Sequence, residues 1–540
     1  MGRGVSETAG EENGAAMVVA ILVVTVLALS SATVVAVASR DVLATRRETA
    51  VFIARSAAES ALDAFAARAG TDAGSVDAAA QRPVEADRWM RADAYGSPTP
   101  CQEQEDMCAV TIVKAVTLAP GDTERKVSAA VVEATGRGGC RAAPRCTYVR
   151  VQQRLQRRTF FDFLVQTDYE LMDPSLLPEG DAPGQAGWQR AHCEHDGSGR
   201  RLGALERPTA CVVPAWFGSG AAALGDDVRG PVHTNDDRIP HCGNPTFRGP
   251  VETTGSAGDA SPPSMTNTFV SEERSVPACG PPAKPESAPV LAGPEAVLRK
   301  APFILLPPDA EHLDRAASGG HGLRWPASGD GPLASADVTL KPNGRVDVER
   351  RGSDGDTVCA CDQPTPDSGV VFVDAPVLRV KGSSPFPVTI ATSGTLIVDG
   401  DVGVTADAVP AAGIGLLARG PVRLQMADRG TNVVRDRVLD QVALVSLDHT
   451  VVTDRWDDPT VCAPACPTLR FTGAIVGRYR PVIGSYDTAT GLRSGGYAKS
   501  MQHAPELAVA QPPYMLVDGQ APWVRVDAVE TGAGTPGLRP

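Results

Sequence analysis

Twelve cysteines carry the spacing-dependent chemistry of this chain: Cys101, Cys108, Cys140, Cys146, Cys193, Cys211, Cys242, Cys279, Cys359, Cys361, Cys462 and Cys466. In chain order they fall into six neighbouring couples, most enclosing short loops. An even number of cysteines in neighbouring couples predicts disulfides formed in an oxidising exterior. Pairing of neighbours is the reading adopted here, although spacing alone leaves connectivity open. Cys359-Ala360-Cys361 is the least secure couple, because a bridge across one residue demands a tight ring. A second cluster, His192-Cys193-Glu194-His195 with His233, His241 and Cys242, has zinc-ligand residue types. Its spacing fits no known zinc pattern, and its cysteines already have partners, so no metal is expected. Asn235-Asp236-Asp237 offers oxygen ligands of the kind calcium takes, but Asn and Asp at such a point more often close a turn. Glu252, Asp374, Asp399 and Asp401 are the carboxylates placed near strands. Acidic groups there normally face solvent. No nucleophile elbow, phosphate-binding loop or His-Glu-x-x-His motif is present. The chain is therefore expected to be no enzyme and to need no cofactor.

These residues need elements to hold them, and the first element is the plainest. Gly14 to Ser39 runs 26 residues without a charge. A bilayer core needs about 20 apolar residues of helix, so a membrane helix is expected over 14–39. Good helix formers then continue without Gly or Pro to Gly70, which is a usual helix stop. The continuation is amphipathic, with Val51, Ala54, Ala58, Leu62 and Phe65 on one face. Residues 108–118, 127–134 and 147–153 show the branched residues and partial alternation of strands. They predict a small antiparallel sheet packed on that face. Arg158 to Asp173 is the most aromatic run, and Phe160, Phe161, Phe163 and Tyr169 are expected in a core. A stretch dense in Pro, Ser and Gly, 253–300, reads as an insertion.

From Val371 onward short apolar runs recur at intervals near 20 residues, each ended by Gly, Asp or Pro. Val371-Phe372-Val373 is matched with Val388-Thr389-Ile390. Leu378-Arg379-Val380 is matched with Leu396-Ile397-Val398, and Val402-Gly403-Val404 with Val422-Arg423-Leu424. Gly-Pro-Val at 230–232, 249–251 and 420–422 marks candidate equivalent corners. Such a recurrence suits a right-handed parallel β-helix, in which coils stack because none buries its apolar face alone. A β-sandwich is the alternative. Net charge is −13, with only seven lysines among the 51 basic residues. That charge opposes binding to nucleic acid.

The amino-terminal segment resembles type IV pilin-like proteins, most closely PilX-type minor pilins. A short polar leader ends in Asn13-Gly14, followed by Ala15-Ala16-Met17-Val18-Val19. Arg40-Asp41 follows the apolar run, and then Ala57-Ala58-Glu59-Ser60-Ala61-Leu62. The acidic residue that most pilins carry early in the mature helix is Val19 here. The resemblance implies cleavage between Gly14 and Ala15, packing of the helix with other pilin-like subunits, and a β domain on its second half. Arg158–Asp173, Phe471-Thr472-Gly473-Ala474-Ile475-Val476, Gly495-Gly496-Tyr497 and Gln511-Pro512-Pro513-Tyr514 resemble segments of large PilX-like envelope proteins of Gram-positive bacteria. The last three are taken as capping features of the solenoid's end.

The expected organisation is a leader (1–13), a long helix (14–70), a small β domain (71–157) and a β-solenoid (158–540). The fold class is mainly β. Expected partners are the membrane, other pilin-like subunits and surface glycans. The arginines after the helix favour an internal body, whereas the cysteines and the resemblance favour an external one; the external placement is adopted because long domains translocate largely regardless of flanking charge. The alternative functions are a plain signal anchor and a surface-anchored carbohydrate-active or carbohydrate-binding β-helix protein.

Overall fold

The computed structural model describes residues 9–71, 76, 90–91, 101, 105–118, 127–140, 146–204, 206–218, 225–254, 269–271, 289–291, 297–299, 301–307, 309–319, 322–326, 331–353, 355–406, 408, 413–462, 465–487, 492–509, 511–515 and 523–534. They belong to two compact units.

In the first unit one helix, Ala9–Thr71, runs 63 residues, about 95 Å at ~1.5 Å per residue. The sheet beside it contains Met90–Arg91, Cys108–Leu118, Val127–Gly138, Thr147–Arg157 and Trp523–Gly534 in that order. Val127–Gly138 pairs antiparallel with Thr147–Arg157, which pairs antiparallel with Trp523–Gly534. The helix face expected from the sequence is the one that docks. Ala54, Ala58 and Leu62 are buried with Val132, Ala134, Val149, Val151 and Leu155, and Val51 and Phe65 pack against them. Inward positions of Val127–Gly138 shrink along the strand, from Val132 through Ala134 to Gly136 and Gly138. The helix approaches where they are smallest: a Cβ at Gly136 would overlap the Ala54 carbonyl oxygen and lie 2.6 Å from the Ala58 nitrogen.

The last strand corrects the expected boundary. The sequence places Trp523–Gly534 in the 158–540 body, but the strand closes the first unit's sheet through its pairing with Thr147–Arg157.

The second unit is mainly β, and nearly all pairing between its named strands is parallel. Three ladders run through it. One carries the inward row Leu323, Val371, Ile390, Leu416, Leu444, Ile475, Val165, Val232 and Val251. A second carries Ala336, Leu378, Leu396, Val422 and Val451. The third carries Val402, Leu439, Phe471, Met501, Val228, Phe247 and Leu291. The rows share one apolar core, and a fully buried aliphatic side chain contributes about 1.5–3 kcal/mol. Antiparallel pairs among the named strands are confined to Leu333–Leu340 with Arg345–Gly352, Arg345–Gly352 with Thr357–Pro364, and Gly484–Tyr486 with Arg493–Gly496.

Chain order and stacking order differ. The rung of Ile475 stacks on Val165, so the unit's last long strand, Thr468–Tyr479, meets its first strand, Val165–Tyr169. Phe471–Val476 therefore lies inside the stack, not at a cap. The expected match of Leu378–Val380 with Leu396–Val398 is the observed register. Val422–Leu424, however, stacks on Leu396–Val398, and Val402 stacks on Leu439. Gly230 and Gly249 form one corner, with Val232 opposite Val251. Gly420 belongs to another, donating its backbone N–H to the Gly394 carbonyl.

Candidate functional site

The surface that the protein itself leaves uncovered lies on the amino-terminal helix. From Met17 to Thr49 every residue is exposed, including Val18, Val19, Ile21, Leu22, Leu27, Leu29, Val34 and Val35. The helix is long and apolar enough to cross a membrane, and none of its apolar span is buried within the protein. Its polar side chains are satisfied locally. Thr25, Ser30, Ser31, Thr33 and Ser39 each donate a hydroxyl to a carbonyl four residues back, at Ile21, Val26, Leu27, Leu29 and Val35. A helix whose backbone bonds and hydroxyls close internally demands no water along its length, which hydrocarbon requires. Charges begin at Arg40 and Asp41. Just beyond, Asp41, Thr45, Arg46, Thr49 and Ile53 line a groove of about 400 Å³ with Asp106 and Gly139. Gly14 and Ala15, the residues of the expected cleavage, lie within the helix.

The structure joins Cys101 to Cys108, Cys140 to Cys146, Cys193 to Cys211, Cys359 to Cys361 and Cys462 to Cys466. Cys242 is disulfide-bonded, and Cys279 lies outside the described residues.

The residues with zinc-ligand chemistry are directed elsewhere. His192 stacks on Trp188 with ring centroids 4.9 Å apart. Glu194 binds Arg478 at 2.8 Å and accepts the Tyr479 hydroxyl, and His195 meets the Tyr169 hydroxyl at 3.3 Å. His233 lies between Glu252 and Asn235, and His241 bonds the Gly243 carbonyl. Asn235-Asp236-Asp237 organises a turn. Asp236 takes the Arg207 guanidinium at 2.6 Å and the Glu170 backbone N–H at 3.0 Å. Asp237 accepts the Ala204 N–H, and Asn235 donates to the Ile304 carbonyl and accepts its N–H.

Three of the four carboxylates considered for catalysis have separate partners. Glu252 takes Arg158 and His233, Asp374 takes Ser393, and Asp401 accepts the Val438 N–H; Asp399 is half-buried. Phe160, Phe161, Phe163 and Tyr169 are buried, so they fill a core and offer no stacking platform. Of the tryptophans, Trp216, Trp325 and Trp523 are buried and Trp188 and Trp456 half-buried, while Trp89 lies outside the described residues.

Sequence reasoning missed the second unit's buried ion pairs. Glu170 and Arg480 meet at 2.9 Å, both nearly inaccessible. Burial pushes the Glu170 carboxyl above its ordinary range against the pull of Arg480. Asp226 holds Lys499 at 2.9 Å. Burial alone would raise Asp226, but Lys499 and Arg493 more than offset it and hold it low. The partners are hundreds of residues apart, so no local pattern could pair them. A weak signal existed: charged residues within apolar runs rarely face a core unpaired. Glu170 and Arg480 directly follow the paired strands Val165–Tyr169 and Thr468–Tyr479, so their ion pair fastens the rung where the second unit's first and last long strands stack.

No protein-family model matches the chain, and no curated protein matches it. Among solved structures it is similar to the crystal structure of the competence-associated pilin ComZ from Thermus thermophilus, at 11% identity. The match covers 89% of this chain and 97% of that one, with a TM-score of 0.25. Two chains related at that score need not share a fold.

Proposed function

We propose that this protein is a pilin-like, membrane-tethered envelope component. Its apolar half-helix inserts into a bilayer and packs with pilin-like subunits of a type IV pilus-like assembly. Its larger unit, read as a disulfide-braced parallel β-solenoid, is carried on the outer side as a structural module. One observation carries the reading: a single continuous helix is bare and apolar over Met17–Thr49, yet its next turns are docked by Ala54, Ala58 and Leu62 onto a small sheet. Exposing that many Val, Leu and Ile side chains to water would be strongly unfavourable, so lipid or another apolar helix must cover them. The Gly14-Ala15 junction and the alanine-rich docking face supply the pilin-like character. No catalytic step is assigned.

The test is mass spectrometry of the native amino terminus together with membrane extraction. A chain that begins at Ala15 and leaves membranes only in detergent supports the reading. Gly14→Leu should then retain the leader. An intact leader on every molecule reduces the protein to a plain anchor, and a detergent-free soluble native form refutes insertion.

A further inference from the structure

The Cys359–Cys361 bridge stands apart from the other cystines. Among the described cysteines these two alone are exposed; the rest are buried or half-buried. The bridge lies on Thr357–Pro364, a strand exposed along most of its length. Among the described pairings this strand is registered only with Arg345–Gly352, and no described strand is registered along its outer edge. A register shift opposite Val346 and Val348, with Asp362 at φ 57°, places a bulge there. The bulge brings the two cysteine Cα atoms to 5.2 Å.

A staple at this position does little for the fold. The entropy removed from the unfolded chain grows with loop length, and this loop holds a single residue. Cys193–Cys211, by contrast, spans a sequence separation of 18 against 2 here, and is buried. What the exposed bridge offers is access, since exposed disulfides are the exchangeable ones.

We propose that Cys359–Cys361 is a thiol–disulfide exchange site for accessible thiols, an activity separate from assembly and independent of it. An incoming thiolate attacks the Cys359 sulfur. A new S–S bond forms there, the Cys359–Cys361 bond breaks, and Cys361 leaves as a thiolate. A second thiolate then attacks the incoming sulfur, releasing the external disulfide and Cys359 as a thiolate. Two external thiols are oxidised and one protein bridge is reduced, with no other reactant.

Local charge sets the direction of attack. Glu349 sits directly across from Cys359 and disfavours a thiolate there. Cys361 adjoins Asp362, which draws Lys341 to 3.4 Å and Arg345 to 3.1 Å. Lys341 also meets Asp347 at 2.8 Å, so these two cations offset the two carboxylates near Cys361, and the Glu349 carboxylate opposite Cys359 leaves Cys361 the better leaving thiolate. The thiol can come from a small molecule or from a protein that approaches the outer strand edge.

The experiment uses the full chain in detergent, pulsed with reduced glutathione, quenched with a maleimide and mapped by peptide mass. Cys359 and Cys361 should be labelled about 100-fold faster than Cys193 and Cys211, with the glutathione adduct on Cys359. In Glu349→Gln the adduct should spread to both sulfurs. A parallel pulse with a reduced dithiol protein separates the sources: opening in that arm assigns the edge to macromolecular thiols as well, and opening by glutathione alone assigns it to small thiols. A bridge that opens in neither arm, or only as fast as Cys193–Cys211, overturns the proposal. So does an adduct found only on Cys361.

Discussion

The two units solve the burial of apolar residues in opposite ways. In the first, one helix presents more apolar surface than its own sheet can take, and only Ala50 to Ala69 contribute buried positions. In the second, apolar residues meet others of like kind in registered rows, as in Leu416, Leu444 and Ile475, and exposed ones such as Val358, Phe386 and Val433 stand outside those rows. A continuous surplus of apolar surface on one side, beside matched rows on the other, locates where the molecule most needs something else. Among the described residues that need is greatest on the helix.

The contrast can be broken most severely at Gly136. Gly136→Val places a side chain against the Ala54 carbonyl, where helix and strand backbones meet. Overpacking of a fixed backbone contact should cost more than about 4 kcal/mol. Limited proteolysis should then cut within 50–157 while 165–515 stays protected. A variant that melts with wild type would mean the helix is not docked there.

A row should respond more gently. Leu444→Ala removes one inward side chain between Leu416 and Ile475, a cavity loss worth about 3 kcal/mol. Urea unfolding measures it. A cost below about 1 kcal/mol would show that the row is loosely packed.

The smallest effect tests the junction chemistry. Asp162 closes a capping box by accepting the Thr159 backbone N–H. Burial pushes its carboxyl up to about 6, against the pull of the Thr159 N–H and Arg158. Because the folded chain holds this proton longer than the unfolded one, stability from this group is present at low pH. It falls as pH rises from about 4 to 6. Asp162→Asn keeps an acceptor and removes the ionisation, so it should gain about 1–2 kcal/mol near pH 7.5 and nothing near pH 4. Thermal melts at both values decide it; a gain equal at both would assign the effect to packing.

Local signals carried much of this. The charge-free run from Gly14 to Ser39 and the Ala54/Ala58/Leu62 face follow from composition and helical period, and both describe surfaces of a single element. The strands 108–118 and 147–153 announced themselves by branched residues, as did the recurrence of Leu378 with Leu396, which lie in adjacent coils. The candidate chemistry was harder to place. His195, His233 and His241 look like a ligand set in one dimension, but each is turned toward a different partner. The one-residue spacing set Cys359 and Cys361 apart from Cys193 and Cys211, but only the structure showed that they are exposed.

By itself the sequence determined which segments are apolar and with what period, because side-chain chemistry and backbone propensity act over a few residues. Only the tertiary structure decided that Ile475 stacks on Val165, that Trp523–Gly534 returns to the first sheet, and that Glu170 meets Arg480. Those are choices among many chemically equivalent partners. They are settled by which arrangement buries every row and pairs every enclosed charge at once, and that condition applies to the whole chain.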